Sequence, residues 1–128
     1  MASRDFLPVR GTLDHEVVVL AGSFLPNGSS AIVNGSNTGN GFTVAWTSTG
    51  LYTVTLADKY NSLLGANLEL ALSTPADQVL QLGTVDVASA KTIQITAWDI
   101  SGAAVADIAS NAANRIYFVF HLKNSSLP

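Results

Sequence analysis

His15 and His121 are the only imidazoles in this chain of 128 residues, and His15 stands in the triplet Asp14-His15-Glu16. These residue types ligate metals, and with His121 they would make a set of four. An extended chain, however, alternates its side chains, so Asp14 and Glu16 point one way and His15 the other. The triplet could not grip one ion together, and no metal is expected. Nucleophilic chemistry has little more to work with. Serines are plentiful, but the G-x-S-x-G elbow is absent. A Ser-His-acid triad would depend on an encounter in the fold that no spacing directs. Asp86 and Asp99 could pair for glycoside hydrolysis, yet acids beside strand ends are ordinarily solvated turn residues. Trp46 and Trp98 could stack on a sugar, although packing is the commoner use of such rings. Cysteine is absent, which excludes disulfides and thiolate chemistry. The chain is therefore expected to be no enzyme and to carry no cofactor.

The stretch NGSSAIVNGSNTGNG, residues 27–41, has four glycines, four asparagines, three serines and no charge. A phosphate cradle places its glycines between a strand and a helix N-terminus. Here Gly35, Gly39 and Gly41 precede a run with strand character, and neither G-x-G-x-x-G nor G-K-[ST] occurs. Asn-Gly pairs at 27–28, 34–35 and 40–41 are turn sites, because both residues tolerate positive φ. The stretch reads as a long excursion between two strands, with Ala31, Ile32 and Val33 forming a short extra one.

The elements that would position any site are strands. RIYFVFHLK (115–123) puts Ile116, Phe118, Phe120 and Leu122 on one face and Tyr117, Val119, His121 and Lys123 on the other; a helix would scatter these rings. TIQITAWD (92–99) alternates likewise, and FTVAW (42–46) and LYTVTL (51–56) are joined by the tight TSTG. EVVVLAGSFL (16–25), NLELALS (67–73) and VLQLGTVDV (79–87) complete a set of seven. VASAK (87–91) closes a second hairpin. DKYNSLLG (58–65) offers one helical turn, with Asp58 as N-cap and Gly65 as stop, and 101–114 is a small-residue loop or short helical turn. Strands at this spacing predict an all-β domain of about seven or eight strands, a sandwich or a barrel.

Composition narrows the partners. Charged residues make up 12% of the chain and hydrophobic ones 48%, with a net charge of −3. The six basic residues, at 4, 10, 59, 91, 115 and 123, form no stripe, which argues against nucleic acid. No apolar run approaches the roughly 18–20 residues that span a bilayer, so no membrane is expected. The amino end has no apolar core of signal-peptide length, and the protein reads as made in the cytoplasm with its glycosylation-type triplets fortuitous. Charge is about half that of an ordinary soluble domain. Either other subunits cover part of the surface, or Ser, Thr and Asn make it polar.

The termini are more suggestive. Residues 1–13 read as an extended arm ahead of a domain at 14–128: Pro8 and Gly11 oppose a helix, and Arg4, Phe6, Leu7, Val9 and Arg10 offer apolar anchors with two cations. Such an arm would dock on a neighbouring subunit or on its own domain.

Three stretches, LAGSFLPNGSSA (20–31), GFTVAWTSTGLYTVTLADKY (41–60) and NRIYFVFHLKNSS (114–126), resemble small virion proteins of tailed bacteriophages, in particular capsid decoration or cement proteins. The resemblance covers most of the chain, and its motifs are structural. It implies an antiparallel β-sandwich, jelly-roll-like, on the outer surface of the capsid, a homodimer or homotrimer bound across seams between major capsid protein subunits. The alternative is a tail or fibre component, or a carbohydrate-binding β-sandwich, that contacts the host through Trp46, Trp98, Tyr52 or Tyr60 and the 27–41 loop.

Overall fold

The computed structural model describes residues 17–33 and 36–124. They form eight strands and, among the described residues, no helix: β1 (Val17–Phe24), β2 (Phe42–Ser48), β3 (Leu51–Leu56), β4 (Ser62–Ala71), β5 (Gln78–Asp86), β6 (Thr92–Asp99), β7 (Ala104–Val105) and β8 (Arg115–Lys123). Strands β1-β8-β4 make one antiparallel sheet, A; β2-β3-β6-β5 make the other, B, with β7 paired to β6. The expected all-β antiparallel sandwich is the fold.

Alternation in β8 does what the pattern demands. Ile116, Phe118, Phe120 and Leu122 are buried, and Tyr117 on the opposite face is 47% exposed. Opposite β8, sheet B contributes Tyr52, Val54 and Leu56 from β3 and Ile93, Ile95 and Ala97 from β6, all buried. The rings of Phe24, Tyr52, Phe42, Phe118 and Phe120 form a chain of contacts with centroids 4.8–6.4 Å apart. Burying each such side chain contributes roughly 1.5–3 kcal/mol, so the centre of the sandwich carries most of the stability.

Three local features differ from the sequence reading. Residues 58–65 form no helical turn; β4 begins at Ser62, pairing with Lys123. A bulge between Leu63 and Gly65 leaves Leu64 exposed and shifts the phase, so Leu63 before it and Ala66, Leu68 and Leu70 after it all pack on the core. That shift hides the period of two. Second, the small-residue loop holds the two-residue β7. β3 starts at Leu51 opposite Thr96, and β7 continues the same lane along β6, with Val105 opposite Trp98. Third, Ala31–Val33 is not a strand; the excursion instead touches β1 through one bridge, Ser23 with Thr38.

That bridge explains the glycines. The Ser23 and Thr38 backbones exchange hydrogen bonds of 2.9 and 2.8 Å, and the Phe42 ring lies against Gly22 and Gly39 beside them. A Cβ on Gly22 would lie 2.4 Å from that ring, and one on Gly39 only 2.6 Å from the Ala21 carbonyl; Gly39 also has φ +120°. The excursion is the seam that carries the chain from the edge of sheet A to the edge of sheet B.

The chain crosses between the sheets three more times, at 57–61, 72–77 and 106–114, and the last crossing caps the same end. Gly28 N–H donates to the Ile108 carbonyl at 3.0 Å, and Ile108 and Pro26 are fully buried beneath the two loops.

Candidate binding face

The positions first weighed for chemistry are spread apart. Trp46 is on the inner side of β2, where its indole N–H donates to the Asp107 carboxylate at 2.8 Å. The same oxygen accepts Gly50 N–H at 2.8 Å, so Asp107 fastens the last crossing to the β2-β3 turn. Tyr52 is fully buried and its hydroxyl accepts Ile108 N–H at 3.3 Å. Burial pushes that hydroxyl up from its ordinary value; the Ile108 N–H opposes the rise and the neighbouring Asp107 charge adds to it. Tyr60 packs against the core. Trp98 is half-buried on the outer side of sheet B, between Val79 and Val105 in one cross-strand row.

Asp86 and Asp99 lie at opposite ends of the β5-β6 hairpin: Asp86 pairs with Thr92, and Asp99 with Gln78. Asp86 accepts Ser89 N–H at 3.1 Å. Asp99 accepts both the hydroxyl (2.9 Å) and the N–H (3.1 Å) of Ser101, bonds that hold its carboxyl below the usual range. Both do the work of turn residues. His121 faces outward on β8, opposite Val19 and Gly65. Among the described residues no three His, Asp or Glu side chains converge. His15, with Asp14 and Glu16, and the arm residues Arg4, Phe6, Leu7, Val9 and Arg10 lie outside the described residues.

The surface with the most varied recognition chemistry is the outer face of sheet A, which the first reading passed over. Its rows run Val19-His121-Gly65, Ala21-Val119-Asn67 and Ser23-Tyr117-Glu69. Tyr117 stands between two shallow clefts. One, against β4, is lined by Asn67 and Glu69; the other, against β1, is lined by Ala21, Gly22, Thr38 and Gly39. Val19 is 36% exposed beside them. At the upper margin Arg115 donates to the Ser23 hydroxyl at 2.8 Å and to the Ser36 carbonyl at 3.3 Å, holding the excursion against the sheet. Alternation in β8 already placed Tyr117 away from the core; what it lacked was the identity of the neighbouring strands, and hence the meeting with Glu69.

The outer face of sheet B is different. Thr43-Thr55-Thr92 and Ala45-Thr53-Gln94 run across three strands without a charge. Thr47 and Thr53 hydroxyls are hydrogen-bonded at 2.6 Å. This is a surface made polar by threonine, one of the two accounts of the low charge.

No family model matches the chain, and no curated protein or solved structure resembles it closely enough to count as a match. No helix among the described residues is long and apolar enough to cross a membrane.

Proposed function

We propose that this chain is a structural virion protein whose activity is binding: it decorates the outside of a tailed-phage capsid and stabilises it by clamping neighbouring major capsid protein subunits. One observation carries most of the weight. Large apolar side chains stay exposed on the strands themselves, including Val19, Leu64, Val79, Leu82, Val85 and Tyr117, while the only charges on the strands are Glu69 and four residues at strand ends, Asp86, Asp99, Arg115 and Lys123. Strand faces of this kind are suited to burial against protein.

Sheet B is the wider of the two sheets, so β5 overhangs. Leu82 and Val85 lie on the same side as the buried Ile95 and Ile93 yet remain 40% and 38% exposed. Several such small contacts, repeated in a dimer or trimer, add through effective concentration rather than through any one strong interface. The resemblance to decoration proteins supplies the partner. Support for the carbohydrate-binding alternative is thinner, because Tyr52 and Trp46 are committed inside the fold and Tyr60 packs on it.

The test is occupancy on purified capsids. Removing residues 1–13 should leave the sandwich folded, by circular dichroism, and strip most of the protein from particles washed in moderate salt. Unchanged occupancy would refute the arm's part in the clamp. Failure of the intact chain to sediment with capsids would refute the function.

A further inference from the structure

We infer that the outer corner of sheet B around Trp98 is the contact with the capsid shell, and that it takes a protein loop presenting an apolar side chain beside a lysine or arginine. This rests on the clamping reading above and names the face used and the chemistry of the partner.

The apolar centre is built from three strands and the loop that joins two of them. Val79 on β5, Trp98 on β6 and Val105 on β7 stand side by side in one cross-strand row, on the side away from the buried Ala97. Ile100, just past β6, is 57% exposed, and Val105 is 43% exposed. Trp46 is bonded on the inner side of β2, so Trp98 is the tryptophan placed to meet a partner. A tryptophan among aliphatic side chains is a common energetic centre of protein contacts, and the next row, Thr96 with Gln81, supplies an uncharged polar rim.

The loop that carries Ile100 and Val105 is fixed in place. Asp99 accepts the Ser101 hydroxyl and N–H, Ile100 N–H donates to the Asp77 carbonyl at 2.8 Å, and Ala106 N–H donates to the Ala97 carbonyl at 3.1 Å. Ala103 holds a φ of +50°, which an alanine adopts where its surroundings impose it. Two apolar side chains are thus presented to solvent on a preorganised frame, which lowers the entropic cost of docking.

Charge selects the sign of the partner. Asp77 and Asp99 stand at the margin of the row: Asp99 pairs with Gln78 beside Val79, and Asp77 is bonded to Ile100. The described cations lie elsewhere. Lys59, Lys91 and Lys123 cluster at the opposite end of the sandwich, where Tyr60, Leu56 and Asn61 N–H groups bond to the Val87, Lys91 and Lys123 carbonyls. Arg115 is on the outer side of sheet A, bonded to Ser23. Acids without a neighbouring cation, set beside an apolar row, favour a partner whose own apolar residue has a base next to it.

The test is occupancy on purified capsids, with folding checked by circular dichroism. Ile100→Asp and Trp98→Ala should each weaken attachment at least about tenfold. Asp77→Lys should weaken it by a similar factor at low salt and by less as salt is raised. Thr43→Asp, in the threonine rows at the far end of the same face, should leave occupancy unchanged. The inference is overturned if the intact chain binds and Ile100→Asp and Trp98→Ala bind equally well, or if Asp77→Lys tightens attachment. It is also overturned if those variants dissociate copies of the free protein in sedimentation while occupancy holds, which would make the corner a contact with a second copy. Loss of a glycan-array signal in Trp98→Ala with occupancy intact would assign it to a saccharide instead. Failure of the intact chain to sediment with capsids would remove the clamping reading itself, so the two failures are told apart.

Discussion

The first and last of the four crossings between the sheets, residues 25–41 and 106–114, look alike on paper: small, uncharged for most of their length, rich in turn formers. They are held in opposite ways. The first is anchored from outside. Arg115, at the start of β8, reaches Ser23, Ser36 and Thr38, and the close approach of backbone to the Phe42 ring needs Gly22 and Gly39. The last carries its own anchors outward: Asp107 to Trp46 and Gly50, Asn114 to the Ser73 N–H, Ile108 into the core. A loop without tertiary anchors is fixed mainly by its turns. A loop with one well-placed ionic or amide side chain becomes part of the scaffold, because the half-buried donors around it have no other partner.

Breaking the first crossing at its tightest point should have the largest effect. Gly22→Val places a branched side chain where even a Cβ meets Phe42 at 2.4 Å and the Thr38 carbonyl at 2.9 Å. Urea denaturation should show a loss of more than ~3 kcal/mol or no cooperative fold at all. Next comes the last crossing. Asp107→Ala leaves the Trp46 indole and Gly50 N–H unpaired, at about 2–3 kcal/mol, and the tryptophan emission should shift as Trp46 loses its partner. Asp107→Asn, which keeps an acceptor, should recover much of this. Arg115→Met keeps the stem but removes the external anchor, at about 1–2 kcal/mol. If Arg115→Met proves costlier than Asp107→Ala, the contrast between the loops is wrong.

The smallest effect at neutral pH appears in alkali. The Tyr52 hydroxyl keeps its proton to a higher pH in the folded chain than in the unfolded one. Its contribution is whole below the unfolded value near 10 and is lost as pH rises through the raised folded value. Stability should therefore fall above pH ~10, and Tyr52→Phe should flatten that fall while losing the Ile108 hydrogen bond at all pH values. An unchanged alkaline slope in Tyr52→Phe would remove Tyr52 from the account.

Much of the fold was legible. The strict alternation of 115–123 and 92–99 marked the two central strands because both bury one face completely, and the hairpins at Thr47–Gly50 and around Lys91 follow from turn chemistry. Legibility failed where the period is broken or cannot report rank in the sheet. The Leu64 bulge disguised the first half of β4, and β7 is too short to show a period. VLQLGTV alternates as a central strand does, yet β5 is an edge with Val79, Leu82 and Val85 exposed. For the same reason the aromatic candidates divide: Tyr52 is fully buried, Trp98 is half-buried on the outer side of sheet B, and Tyr117, which was not among them, is 47% exposed.

Residue order alone determined that this chain would pleat, where most strands lie and which side of each faces inward, since those depend on neighbours one and two positions away. Only the tertiary structure decided which strands became edges, that Asp107 would meet Trp46 and Gly50, and that Glu69 would face Tyr117. Those pairings join residues separated by tens of positions, and they are set by how two sheets of unequal width close over a shared core.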